Sequence, residues 1–434
     1  MTPTGAGAGA ISAQRRVLVV LVLGQLLAGA GLAAGITVGA LLAEDLLGGP
    51  GLSGLPSALF TGGSAIAAVA VGKLSQSRGR RPGLTTGFAF GALGAVGIVV
   101  AAAVESLPLL FAAFVVYGSG TATNLQARYA GADLATDATR ARSLSYVLLG
   151  TTAGAVAGPN LVGPTGELAD AVGLPALAGP FLLAAAAYGG AALVISLLLR
   201  PDPLLEARRL AAAVAEPEPA SSSSPRADSP TLPTPPRVWT AEVIAGVVVM
   251  ALTQFVMVGL MTMTPVHMRA HDHAVTVVGV VISLHVAAMY LPAPVSGWLV
   301  DKFGTRTVAV SAGLVLLASG VIAAVAPPES SVLVTVALIL LGVGWSLGLV
   351  SGTTVLTTAV PISVRASVQG QADVAVALAG AAGGLLSGLV FAWIDFRGLG
   401  FALAALSLVV VAAVRPRRPG ASGGGYDTAR AGSS

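Results

Sequence analysis

Long apolar stretches separated by short polar breaks run along the whole chain. A helix that spans a lipid bilayer needs about 20 consecutive, mostly apolar residues. Stretches of this length recur, and we predict one transmembrane helix in each. The predicted helices cover residues 17–43, 54–73, 84–104, 107–131, 143–164, 176–199, 240–264, 275–297, 307–326, 331–356, 369–393 and 398–414. The pattern therefore predicts an all-α membrane protein with 12 transmembrane helices.

The longest polar break covers residues 201–237 and divides the predicted helices into two sets of six. It is rich in Pro, Ser, Ala and charged residues, a composition typical of disordered segments. We therefore predict a disordered cytoplasmic linker at 201–237. The other predicted units are an N-terminal six-helix half at 1–200, a C-terminal six-helix half at 238–414 and a cytoplasmic tail at 415–434.

Charged residues are few, and their placement is uneven. They make up 10% of the 434 residues, whereas ordinary globular chains carry about 25%. If the N-terminus is cytoplasmic, all of the 23 Lys and Arg residues except Arg269 and Arg397 fall on the cytoplasmic side, as the positive-inside rule requires. We therefore predict a multi-pass protein of the cytoplasmic (inner) membrane with both termini cytoplasmic. Its partner is membrane lipid, and its basic charge needs no nucleic acid.

A short sequence occurs once in each half, directly after the second predicted helix of that half. It reads GKLSQSRGRRP in the first half and GWLVDKFGTRT in the second. The aligned positions of interest are Gly72, Gln76, Gly79 and Arg81 in the first half and Gly297, Asp301, Gly304 and Arg306 in the second. This G-x-L-x-D-x-x-G-x-R/K pattern, repeated between helices 2 and 3 and between helices 8 and 9, resembles the loops of the major facilitator superfamily.

The resemblance implies the major facilitator fold, in which two six-helix halves surround a central cavity and alternate access to it by rocking. In that family the repeated loop acts as a latch between the halves. Asp301 fits the family pattern, but Gln76 stands where the first-half Asp belongs. From the sequence we therefore expect Asp301→Asn to slow transport and Gln76→Ala to do little.

The function class predicted is a secondary transporter. The sequence contains no nucleophile constellation, no Walker loop for ATP and no cysteine, so we expect neither an enzyme nor a bound cofactor. Acidic residues are placed by the sequence in loops or at helix ends, Asp373 among them. We expect a monomer that carries one small cargo, either a copper ion or a small organic molecule.

Methionine and histidine are concentrated in one part of the chain. Residues 250–289 hold all four His residues and every Met except the initiator. The seventh predicted helix carries Met257-x-x-x-Met261, and the eighth carries His285-x-x-x-Met289. A spacing of four places each pair on one helix face, and a rise of about 1.5 Å per residue places the two pairs at overlapping depths. We expect the pairs to meet across a helical hairpin.

Thioether and imidazole ligands without carboxylate or thiolate suit Cu(I). The two motifs, with TMTP after the first and HVAAMYLPAP around the second, resemble the CcoA-like copper importers of the major facilitator superfamily. By that resemblance Met257, Met261, His285 and Met289 are the implied copper ligands, with copper as cargo and not as cofactor. Near the predicted outer mouth, possible metal-capture residues are His267, Met268, His271 and His273.

Other interpretations of these residues stay open. Methionine in an apolar helix commonly fills space, and His285 suits a packing role or a proton site as well as a ligand role. Riboflavin carriers resemble the same branch of the superfamily, so the branch does not fix the cargo. A sensor or scaffold without transport is a further class, but the linker and the tail are short and polar.

The main alternative is a proton-coupled transporter of a small organic molecule. Gly150-x-x-x-Gly154-x-x-x-Gly158-Pro159 approaches a motif of drug/proton antiporters, although Val162 stands where that motif has a glycine. Small residues at this spacing also serve close helix packing. Polar candidates for contact with an organic substrate are Asn124, Gln126 and Asn160.

The topology predicts the outcome of a labelling experiment. Because the chain contains no cysteine, the single cysteine of Ser222→Cys is the only target for a membrane-impermeant maleimide. We expect no labelling in intact cells and full labelling after the membrane is permeabilised, since the linker is cytoplasmic. Labelling in intact cells would contradict the topology.

Overall fold

The computed structural model describes residues 4–47, 55–157, 161–215 and 238–414. In these ranges the secondary structure is helical, with no strand. The first half contains α1 (Thr4–Leu47), α2 (Leu55–Arg78), α3 (Arg80–Ala103), α4 (Leu107–Ala132), α5 (Arg140–Ala157), α6 (Val162–Ala171) and α7 (Gly179–Leu198). The second half, preceded by α8 (Pro203–Ala215), contains α9 (Ala241–Ala270), α10 (Val275–Tyr290), α11 (Ala293–Val325), α12 (Ser331–Ala359) and α13 (Arg365–Ala413).

Two of these helices each combine parts of two predicted spans. Helix α11 contains the end of the eighth span and all but the last residue of the ninth, and its axis changes at Gly304, where φ is 84°. Only glycine adopts this conformation freely. Helix α13 contains the eleventh and twelfth spans, which are separated by the non-helical residues Ile394 and Asp395. In the described residues, eight continuous helical stretches are long and apolar enough to cross a membrane.

The linker prediction is wrong for its first part, because Pro203–Ala215 forms α8 where the composition predicts disorder. The sequence PLLEARRLAAAVA is rich in Ala, Leu and Arg, which are strong helix formers. Asp202 caps the helix, since its Oδ1 accepts the backbone N–H groups of Leu204 at 3.1 Å and Leu205 at 3.2 Å. Leu204 is fully buried. Residues 216–237, like the tail at 415–434, lie outside the described residues.

The two halves repeat one packing plan. In the first half α1 packs against α5, and α3 packs against α4 and α7. In the second half α9 packs against α13, and α11 packs against α12 and α13. One large apolar core lies within the first half, and a second one combines the helices of the second half with buried residues of α4 and α5. The halves meet mainly along two lines, α2 against α13 and α5 against α11.

Glycines permit the close approach of the helices along both lines. A Cβ atom added at Gly72 of α2 would lie 2.8 Å from the carbonyl oxygen of Ala366 in α13. A Cβ atom added at Gly297 of α11 would lie 2.6 Å from the carbonyl oxygen of Ala141 in α5. Both contacts lie at the end of the helix bundle that carries Gln76 and Asp301, which we call the latch end.

We predict that a large side chain at Gly72 wedges the latch end open. The reporter is the cysteine of Ser145→Cys on α5, a position that is fully buried beside Gly297 at the other line of contact. Because overpacking costs about 1–3 kcal/mol, Gly72→Leu should raise the alkylation rate of this cysteine about tenfold. Gly62→Leu is the matched control, since a Cβ atom added at Gly62 of the same helix would meet nothing within 4 Å. Equal rates in the two variants would contradict the wedge.

Candidate functional site

Asp301 joins the second half to the first through the N-terminus of α5. Its carboxylate accepts the backbone N–H groups of Ala141 at 2.9 Å and Arg142 at 3.1 Å. The Arg142 side chain adds an ion pair, with Nε 3.1 Å from Oδ2. A carboxylate at a helix N-terminus is favoured by the unpaired N–H groups and by the helix dipole. The structure thus gives the Asp301 loop a charged contact between the halves.

Gln76 makes the corresponding contact in the opposite direction, from the first half to the N-terminus of α13. Its Oε1 accepts the backbone N–H of Ala366 at 2.8 Å. Its Nε2 donates to the carbonyl oxygens of Ser363 and Ile362. The amide thus replaces the missing Asp with three hydrogen bonds, which argues against the expectation that Gln76→Ala does little. What this loop lacks relative to Asp301 is the charge.

Asp202, at the start of the linker, caps the N-terminus of α3. Its carboxylate accepts the backbone N–H groups of Arg80 at 3.1 Å and Arg81 at 2.7 Å. Gly79 makes this approach possible, because φ is 99° there and an added Cβ would lie 2.4 Å from Oδ2 of Asp202. The sequence repeat shows Gly79 and Arg81 but not Asp202, which lies far along the chain from both.

Two further arginines donate hydrogen bonds to backbone carbonyl groups at the two repeated loops. Nη2 of Arg208 in α8 donates to the carbonyl oxygen of Gln76 at 2.9 Å, so the linker helix also touches the first latch. In the second half, Nε of Arg306 donates to the carbonyl oxygen of Val414. Arg306 therefore holds the loop to the end of α13 in its own half.

A buried ion pair lies below the latches inside the first half. Nε of Arg80 is 2.8 Å from Oδ2 of Asp133, and both side chains are fully buried. Nη2 of Arg80 also donates across the boundary to Oε1 of Gln369 in α13, at 2.6 Å. This contact has no signature in the sequence, because its partners lie on separate helices with no shared local pattern.

A second buried ion pair crosses the boundary between the halves. Nη2 of Arg128 in α4 is 2.8 Å from Oδ1 of Asp373 in α13. Nε of Arg128 donates to the hydroxyl of Thr353 at 3.0 Å, and the Tyr129 hydroxyl donates to Asp373 at 3.1 Å. This corrects the assignment of Asp373 to a helix end, since the residue is buried and lies well inside α13. The two ion-pair networks thus join the halves beneath the latches.

Three of the four implied copper ligands lie in one apolar core. Met257 of α9 and Met289 of α10 are buried in it, and Met261 packs against it. Helix α10 packs mainly against α12 and only slightly against α9. The predicted hairpin contact between the seventh and eighth spans is therefore not the main packing of α10.

His285 is fully buried and faces α12. Its Nδ1 is 2.8 Å from the carbonyl oxygen of Leu338, an acceptor, so Nδ1 carries the proton and donates it. Its Nε2 is buried without a hydrogen-bond partner. The ring is thus held in one orientation, with the lone pair of Nε2 unused.

Near the C-terminal end of α9, His267 and His271 contact each other, whereas His273 and Met268 have contacts elsewhere. The His267 ring stacks on Phe396 with centroids 4.1 Å apart, and the His271 ring lies 4.5 Å from the His267 ring. His273 bonds a backbone carbonyl on a different loop, and Met268 is buried in a small separate cluster. In the part of the chain that the structure describes, no group of three His, Cys, Asp or Glu residues is placed to hold a metal. Metal capture at this end stays a prediction.

The polar candidates for an organic substrate are buried in α4. Nε2 of Gln126 donates to the carbonyl oxygen of Ala68 at 2.6 Å, and its Oε1 has no partner. The backbone carbonyl of Asn124 accepts from Gln25, and Nδ2 of Asn124 is unpartnered. Asn160 lies outside the described residues.

Comparison with known proteins fixes the family. The family model described as Major Facilitator Superfamily matches residues 21–384 and 260–432. The chain belongs to the major facilitator superfamily. It is a multi-pass membrane transporter and not an enzyme, and the predicted all-helical major facilitator fold is confirmed.

Relatives of this superfamily member match it over most of their length. It is 50% identical over 404 residues to the uncharacterized MFS-type transporter YdeG of Bacillus subtilis, covering 93% of this chain and 92% of the relative. It is 47% identical over 400 residues to YddS of the same organism, described in the same words, covering 92% and 90%. The riboflavin transporter RfnT of Brucella anthropi is 30% identical over 370 residues, covering 83% and 85%.

Solved structures show the same fold at low sequence identity. The human organic anion transporter MFSD10 (TETRAN) superposes with a TM-score of 0.71 at 17% identity, covering 93% of this chain and 99% of that one. The proton:xylose symporter XylE superposes with a TM-score of 0.70 at 16% identity, covering 92% and 95%. The resemblance of this transporter to CcoA-like copper importers stays a prediction.

We predict that Gln76→Ala loosens the latch end of this transporter. Neutral hydrogen bonds contribute about 1 kcal/mol net, so the cysteine of Ser145→Cys should be alkylated about fivefold faster in this variant. Ser77→Ala is the control, because the Ser77 hydroxyl bonds to its own helix and is exposed. Equal rates for the two variants would support the expectation from sequence that Gln76 contributes little.

Proposed function

We propose that this transporter moves Cu(I) across the cytoplasmic membrane through Met257, Met261, His285 and Met289. The proposal rests mainly on the geometry of His285. Its Nδ1 is held by the Leu338 carbonyl, while its Nε2 is buried and has no hydrogen-bond partner. Histidine ligands of metals commonly donate their second ring N–H to a carbonyl, which fixes the tautomer and the direction of the ligand atom. The ring therefore has the form that a metal ligand needs before the metal arrives.

The methionines supply the chemistry that selects the ion. Met257 and Met289 belong to one large buried core with Met261 at its edge, and the proposal joins these three soft thioethers to the imidazole of His285. Uncharged soft ligands favour Cu(I) over zinc or magnesium, which prefer sites with thiolate or carboxylate. The absence of charge also suits a carrier, because the cargo must leave again.

The proposed orientation follows from the basic residues. The latch end carries the Lys and Arg clusters of both repeated loops, so the positive-inside rule places it in the cytoplasm with both termini. In the described conformation both latches and both ion-pair networks are formed at that end. The protein works as a monomer, and cargo reaches the core from the opposite side of the membrane.

A second candidate cargo is a riboflavin-like organic molecule. The relative named as a riboflavin transporter favours it, and the unpartnered polar atoms of Asn124 and Gln126 offer a donor and an acceptor in the first half. A heteroaromatic ring with imide groups could use both. This candidate places the cargo on α4, whereas copper places it on α9 and α10.

The copper proposal predicts the effect of conservative changes at the methionines. Met→Leu keeps volume and apolarity and costs less than about 1.5 kcal/mol where packing is its only role. We therefore expect Met257→Leu and Met289→Leu to fold normally and to lose at least about tenfold in copper uptake, since ligand loss cannot be replaced by packing. Uptake of radioactive copper is measured in cells and corrected for the amount of protein in the membrane.

Met250→Leu is the matched control, because Met250 is a fully buried methionine of the same helix and is not among the proposed ligands. It should retain full copper uptake. Normal copper uptake by both Met257→Leu and Met289→Leu would overturn the copper proposal. Uptake of labelled riboflavin that is lost in Asn124→Ala and kept in Met257→Leu would establish the second candidate instead.

A further inference from the structure

The Arg128–Asp373 pair places two opposite charges in the interface between the halves. The exposed fractions of the two side chains are 0% and 2%. Ionisable groups inside membrane helices are costly, and those that are retained usually serve ion or proton movement. This pair is also divided between the halves, so any opening of the latch end must separate it.

The hydrogen bonds of Asp373 leave one oxygen unused. Oδ1 accepts from both Arg128 and Tyr129, whereas Oδ2 is buried and has no partner. An ionised carboxylate can accept about four hydrogen bonds. A proton can therefore bind Oδ2 without displacing any existing contact.

Separation of the halves affects the two partners unequally. Arg128 keeps contacts within its own half, because Nη1 donates to the Leu125 carbonyl, Nη2 donates to the Tyr129 hydroxyl at 3.0 Å, and the guanidinium lies 4.4 Å from the centre of the Tyr129 ring. Asp373 loses both of its donors, since Arg128 and Tyr129 belong to α4. A carboxylate that loses its partners while it is still enclosed by protein is costly. A proton on the carboxylate removes that cost.

The surrounding charges leave Asp373 as the group that can change its charge. The ionisable groups that act on it are Arg128 and Tyr129 of α4 and Arg80 of α3, and Tyr290 of α10 acts on Arg128. Arg80 is already paired with Asp133 at 2.8 Å. Arginine stays charged at all accessible pH values, and tyrosine titrates only in alkaline solution.

We propose that Asp373 is the proton-binding site of this transporter and that its protonation releases Arg128, so that the latch end can open. One proton from the water on the side opposite the latch end adds to Oδ2 and converts the carboxylate to a neutral carboxylic acid, which removes the charge attraction of the ion pair and breaks no covalent bond. After opening, the proton leaves to the water on the latch side, and the pair forms again on closing. The cycle thus couples cargo movement to the proton gradient whatever the cargo is, so it stands independently of the copper proposal.

The test measures opening directly and needs no cargo. The full-length protein is placed in nanodiscs, and alkylation of the Ser145→Cys reporter is followed between about pH 8 and about pH 5.5. The fraction of thiolate is corrected with a free thiol of known pKa. We expect the corrected rate to rise about tenfold on acidification, which corresponds to a population shift of about 1.4 kcal/mol. The cysteine of Ser319→Cys, buried within the second half where Ser319 bonds to Ala337, should stay unreactive at every pH.

Three variants decide the assignment. Asp373→Asn should be alkylated fast at every pH, because the neutral amide mimics the protonated acid. Asp133→Asn is the matched control, since Asp133 is also a buried partner of an arginine but lies in the same half as that arginine, and it should keep the pH response. Asp373→Glu keeps the carboxyl group and should keep the response as well.

An infrared measurement covers the case in which Asp373→Asn folds poorly. The parent protein should gain a protonated carboxyl band on acidification that Asp373→Glu shifts in frequency. A rate that does not change with pH in the parent would overturn the proposal. So would a pH response that survives in a folded Asp373→Asn protein, or one that is lost in a folded Asp133→Asn protein.

Discussion

Helix-end N–H groups and charges that are shielded from water must find their partners within the protein. The structure meets this constraint by exchange between units. The N-terminus of α5 is capped by Asp301 from the other half, that of α13 by Gln76 and that of α3 by Asp202 from the linker. Closing the latch end and satisfying the N-termini of α5 and α13 are therefore the same event. Opening exposes N–H groups that only water can then satisfy.

The Asp301 and Gln76 latches stabilise the helix N-termini by different amounts. Hydrogen bonds to a charged group contribute about 1.5–3 kcal/mol, and neutral ones contribute about 0.5–1.5 kcal/mol. Asp301 has the charge and the Arg142 ion pair, whereas Gln76 has an amide. The Gln76 latch is therefore the weaker one. Helix α8 supports it, because Arg208 donates a hydrogen bond to the Gln76 carbonyl. The first half thus gains from the linker part of what its loop lacks in charge.

Local patterns in the sequence are enough to predict the fold and the positions of the latches. The repeat is readable because its glycines and its Asp lie close together in the chain in each half. Arg128 and Asp373 are 245 residues apart, and no periodicity links them. The same reason hides Asp202 as a cap for α3. Spacing within a helix can pair His285 with Met289, but only tertiary structure supplies the Leu338 carbonyl that orients His285.

Helix α12 connects the two sites on which our proposals rest. The Leu338 carbonyl holds His285, and the Thr353 hydroxyl accepts from Arg128. At about 1.5 Å of rise per residue these two points lie about 22 Å apart on one continuous helix. The helix is tightly packed between them, with Gly342 so close to α10 that a Cβ would lie 2.7 Å from the His285 carbonyl oxygen. A packed helix moves as a unit and not by local compression. A displacement passed through the Leu338 carbonyl when cargo binds at His285 would therefore shift α12 as a whole, and with it the Thr353 contact that helps to hold Arg128 against Asp373.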